Sequence, residues 1–132
     1  MARIDKYDGV SGGFRAPLNA AVAAADIGKV RAVTLNGSGR VVIGGTLGAM
    51  VGVICPGKAF AAGDIIDVMT AGEIVDYNLE ASPEVAKSPA PVAGSLQFAA
   101  ASGVVGVTGT DQPVGTTVEL SRLVVRVNAR AV

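Results

Sequence analysis

Lys58–Tyr77, KAFAAGDIIDVMTAGEIVDY, is the stretch on which the fold reading turns. Ala62-Gly63-Asp64 punctuates its entry, and Ile65-Ile66-Asp67-Val68-Met69 has the β-branched content that a pleated strand accommodates. Thr70-Ala71-Gly72 reads as a tight reversal, and Glu73-Ile74-Val75-Asp76-Tyr77 as the returning strand. The expectation is a hairpin, with strands at 64–69 and 73–77, in the middle of a small β domain.

The flanking sequence extends that pattern. Val30–Leu35 and Arg40–Ile43 surround Asn36-Gly37-Ser38-Gly39, whose Asn and Gly tolerate the positive φ of a tight turn. Ala49–Ile54 reads as a further strand, stopped by Pro56-Gly57. Later strands are expected at 96–99 and 104–107, with a turn region over 108–116. A long last strand is expected at 117–127, where the polarity of both faces changes near Arg122, as a bulge would cause. The alanine-rich 20–25 is at most one short helix. Residues 78–94, with Pro83, Pro89 and Pro91, read as a long loop. The fold class is therefore all-β, a small antiparallel barrel or sandwich, with residues 1–18 as an extended N-terminal arm and 19–132 as a single domain.

Composition agrees. A chain of 132 residues fits one domain and can bury roughly two-thirds of its unfolded surface. Eighteen Gly and six Pro disfavour long helices, and three Phe, two Tyr and no Trp imply a thin core that a partner subunit could complete. Eleven basic and eleven acidic residues cancel, so no global field draws nucleic acid or an anionic membrane. Met1–Asp8 is charged and no apolar segment follows it, so the expectation is a soluble chain made in the cytoplasm.

Chemistry is hard to find in these residues. There is no His, and the single Cys55 stands in Val-Ile-Cys-Pro, the setting of a small buried hydrophobe rather than a nucleophile. Asp64, Asp67, Glu73 and Asp76 are the only carboxylate cluster. Asp64 is placed to bond within its turn, and Asp67 and Asp76 would oppose one another across the hairpin. Their spacing matches no calcium loop, so a solvated or salt-bridged face is expected, with no metal and no cofactor. Gly37-Ser38-Gly39 lacks the spacing of a phosphate loop. Arg122, Arg126 and Arg130 suit contact with an acidic protein surface at least as well as contact with nucleic acid.

Ala62-Gly63-Asp64-Ile65-Ile66-Asp67-Val68, Gly72-Glu73-Ile74-Val75 and the closing Ser121–Val127 together resemble head decoration proteins of tailed bacteriophages. The opening KYDGVSGGFRAPL, residues 6–18, looks like the start of such proteins from phages of actinobacteria. The resemblance covers most of the chain and departs from it in the Ala/Pro-rich 78–94. It implies a non-enzymatic virion protein, often a homotrimer, seated at local three-fold positions outside an expanded shell and cementing major capsid subunits. Carried onto this sequence, it makes Tyr7, Phe14, Arg15, Pro17 and Leu18 the capsid-binding arm, while Arg122 and Arg126 of the last strand are candidate subunit contacts from the reading of that strand alone. Two other readings remain open: a different virion subunit (tail tube, spike or capsid accessory), and a small enzyme or sugar-binding β domain, which would require a concave pocket.

Overall fold

The computed structural model describes residues 1–77, 93–107, 112–119 and 121–128. Eleven strands follow in chain order: β1 Arg3–Lys6, β2 Gly13–Pro17, β3 Arg31–Leu35, β4 Val41–Ile43, β5 Gly52–Ile54, β6 Ile65–Met69, β7 Ala71–Val75, β8 Leu96–Ala99, β9 Val105–Gly106, β10 Gln112–Glu119 and β11 Arg122–Arg126. They form two antiparallel sheets, β1-β7-β11-β10-β8-β9 and β2-β6-β5-β3-β4. Neither sheet closes into a barrel, so of the two expected architectures the chain adopts the sandwich. The edges of the five-stranded sheet approach at one point, a bridge between Leu18 and Val41.

The stretch 58–77 is the pivot of this arrangement, though not as a hairpin. β6 pairs with β2 and β5 in one sheet, whereas β7 pairs with β1 and β11 in the other. Thr70 is thus a crossover between layers. The sequence shows a reversal signal there, but Gly72 serves a tight approach to the Lys6 carbonyl rather than a two-stranded turn. The other crossover, residues 7–12, lies against it. The Gly12 carbonyl accepts from the amides of Thr70 (2.7 Å) and Ala71 (3.0 Å), and the Val127 amide donates to the Thr70 carbonyl (2.9 Å).

Two cores result. Val30, Ala32, Met50, Val53, Met69, Ile74, Tyr77, Val114, Leu123 and Val125 fill the space between the sheets. Val33, Val41, Ile54, Ile66 and Val68 form a second cluster with Leu18 and Val22, against which Phe60 also packs. Neighbours along a strand divide between them: Ala32 and Val33, Val53 and Ile54, Val68 and Met69. The five-stranded sheet is therefore buried on both faces, which is why its strands are apolar runs without clean alternation. Small Ala and Val side chains suffice because each layer is thin.

Buried polar groups tie the layers together. Gln112 on β10 reaches the segment that leads into β5, donating from Nε2 to the Met50 carbonyl (2.8 Å) and accepting the Met50 amide at Oε1 (2.9 Å). The Tyr77 hydroxyl donates to Gln97 Oε1 (2.7 Å) in the same interior.

Other expectations need revision. The strand expected over 117–127 is two strands: β10 and β11 form a hairpin pairing Thr117 with Leu123 and Glu119 with Arg122, so the polarity change marks a reversal. The turn expected through 116 gives way at Gln112, where β10 begins. The short helix is a single 3-10 turn, Ala24–Asp26. The β3–β4 hairpin is as expected, with Asn36 Oδ1 accepting the amides of Ser38 and Arg40. Most of the 78–94 loop, and Arg130, lie outside the described residues. Residues 1–18 do not form an arm separate from the domain: β1 and β2 lie within it, one in each sheet.

Candidate interaction surfaces

The acidic cluster resolves into ion pairs. Asp67 meets Arg15 Nε at 2.9 Å, Asp76 pairs with Arg3, and Glu73 lies between Lys6 (3.6 Å) and Arg122 (3.1 Å). Asp64 accepts the Ala61 amide at 2.8 Å, the turn bond expected of it. Asp67, on β6, and Asp76, just past the end of β7 in the other sheet, do not oppose one another. Among the described residues no three His, Cys, Asp or Glu side chains gather as a metal would need. Among the described residues no helix is long and apolar enough to cross a membrane. Cys55 is half-buried and packs against the core between the sheets.

The residues expected to form an arm divide. Leu18 is 1% exposed and belongs to the second core, so it cannot meet a partner as expected; its apolar side chain is needed under the sheet. Phe14 and Pro17 are half-buried on β2, and Arg15 is exposed beside Asp67. Tyr7 begins the 7–12 crossover with its hydroxyl turned inward, buried and without a hydrogen-bond partner. Gly13 leaves room for it: a Cβ there would lie 2.7 Å from that hydroxyl and 2.0 Å from the Val68 carbonyl oxygen. Burial, then the negative charge of Asp67, pushes the Tyr7 hydroxyl above its ordinary pKa. In the same crossover Asp8 accepts the amide of Val10 (3.0 Å) and the hydroxyl of Ser11 (2.9 Å), which hold its pKa below the usual carboxylate value.

β2 presents an open sheet edge. Its register with β6 runs unbroken from Gly13–Met69 to Pro17–Ile65. Thr70 donates to the Gly12 carbonyl, and Leu18 donates to the Asp64 carbonyl, so residues 12, 14, 16 and 18 face β6. The amides and carbonyls of Gly13 and Arg15 consequently point away from it. The other edges are defended. β1 carries Arg3, Asp5 and Lys6 and a register shift after Ile4; β9 is two residues long; β4 is met at Val41 by Leu18 and by the Asn19 amide. Charge, bulges, brevity and cover are the usual means of blocking strand addition; along 13–15 β2 has only the charge of Arg15, which Asp67 of β6 pairs. Sequence reading placed these residues in a contact segment but could not show that their other edge was already paired with β6.

On the six-stranded sheet, Arg122 bonds Glu73 and Glu119 and is half-buried, so it is committed within the chain. Arg126 makes no such bond. It borders an open depression of about 410 Å³ with Leu96, Pro113 and Thr116.

No protein-family model matches the sequence, and no curated protein does. Among solved structures, a chain described as "Mycobacterium phage Patience" aligns with a TM-score of 0.81 at 19% identity, over 99% of this chain and 98% of that one. The fold is one that a phage chain adopts. The likeness spans both sheets and both crossovers, so the sandwich is shared as a whole.

Proposed function

We propose that this chain is a structural protein of a phage virion that decorates the outside of an expanded head and holds neighbouring major capsid subunits together. The observation that carries the reading is the end-to-end likeness to a phage chain, which coincides with the sequence resemblance to head decoration proteins. The open edge of β2 supplies a means: an extended capsid segment adds to it as a further strand. Gly13 and Arg15 offer backbone bonds, while Arg15, Phe14 and Pro17 supply side-chain contacts. No catalytic step and no cofactor enter this role. The protein is a homotrimer in this reading, because three modest contacts on one body act at high effective concentration.

Sedimentation of the full chain with undecorated expanded capsids tests the proposal. Saturable co-sedimentation, together with a higher disruption temperature of the shells, is the expected result. Failure to bind shells, with rings or filaments forming from the protein alone, would replace it with a tail-tube or spike role.

A further inference from the structure

A charge census of the described residues leaves two groups over. Among the cations, Arg3, Lys6, Arg15, Arg31 and Arg122 are ion-paired, the Arg40 guanidinium donates to the Leu18 carbonyl, and Lys58 lies over the Phe60 ring. Lys29 is also engaged. Among the cationic side chains Arg126 alone has no partner. Among the acids, Asp26, Asp67, Glu73, Asp76 and Glu119 are paired, and Asp8 and Asp64 accept backbone amides. Asp5 alone has none.

The two do not meet within one molecule. Both stand on the six-stranded sheet, but β7 lies between β1 and β11, and Arg126 is in register with Ala71 whereas Ile4 is in register with Ile74. That offset, roughly 10 Å across the strands and about 8 Å along them, keeps the two side chains apart. Asp5 is also the residue that the β1 register shift leaves without a cross-strand partner. Apolar surface is near each: Ile4, 38% exposed, precedes Asp5 along β1 and borders a cleft with Phe60 and Ile65, and Leu96, 52% exposed, lies beside the depression at Arg126.

We infer that the β1 edge of one copy docks on the depression of another, with Asp5 of the first meeting Arg126 of the second and Ile4 covering Leu96. The chain's net charge is zero, so no long-range repulsion opposes this association. The complementary pair fixes its orientation. The two patches differ, so the contact is head-to-tail and closes as a ring when the rotation permits. This deepens the oligomeric part of the proposed function and rests on it; β2, on the other sheet, stays free for the shell.

Sedimentation equilibrium of the free protein tests the contact separately from capsid binding. Wild type self-associates, D5R and R126D each weaken association about tenfold or more, and the D5R/R126D double variant recovers most of the loss. Added salt weakens the wild-type association. Neither side chain has a partner among the described residues, so thermal unfolding of each variant, read at a concentration where it is monomeric, matches wild type. A wild type that stays monomeric throughout, or a double variant no better than the singles, overturns the inference. Capsid binding that survives in a monomeric wild type would leave the decoration reading standing without it.

Discussion

Tyr7 and Gln112 mark opposite outcomes of burying a polar atom. Gln112 replaces both backbone bonds that Met50 would otherwise lack, so Gln112→Leu strands a buried amide and a buried carbonyl. A loss of about 2 kcal/mol or more in denaturant unfolding is expected. The Tyr7 hydroxyl has no such bond, so Tyr7→Phe should leave stability unchanged or raise it by up to about 1 kcal/mol. The sign with pH follows from its raised pKa. Stability from this group is full below the ordinary value of 10.0 and is lost as pH rises through the higher folded-state value, because the unfolded chain releases the proton first. Tyr7→Phe should flatten that alkaline loss in melts recorded between neutral and strongly alkaline pH. Neither role could be read from the sequence. A glutamine among Asp111 and Pro113 looks like turn filling until the partner, 62 residues away, is known. That Asp67, Glu73 and Asp76 lie on a solvated or salt-bridged face was legible, because acids so close together repel one another unless water or cations intervene; which of the two, and which cations, depended on the pairing.

Strand identity was legible where β-branched residues sit between glycine turns, as in β3, β4 and β6. Strand partnership was not. The segment through Thr70 has the local chemistry of a hairpin, yet the chain changes layers there, because apolar residues on both faces of β6 demand cover on both sides while β7 needs it on one. The segment through Ser121 has the chemistry of one strand, yet it reverses. Gly44 shows how tightly the layers are joined: its φ is +80°, and a Cβ would lie 2.4 Å from the Ala101 carbonyl oxygen in the turn before β9. Gly44→Ala combines left-handed strain with a backbone clash, so a loss of at least about 2 kcal/mol is expected in thermal unfolding.

At the scale of the molecule, two sheets leave four edges, and the chain defends three of them. The sequence alone suggested the contact segment from its few large side chains, Tyr7, Phe14 and Leu18. The structure shifts the emphasis from side chains to backbone: Leu18 is core, and the outward amides of β2 carry the contact in our proposal. That account is tested most directly by capsid co-sedimentation of Arg15→Pro against Arg15→Ala. Both remove the Arg15–Asp67 ion pair, but only proline removes the outward amide, which β6 does not use. With both variants folded by circular dichroism, Arg15→Ala should keep most of its shell binding and Arg15→Pro should lose about tenfold or more. Equal binding by the two would contradict strand addition at β2.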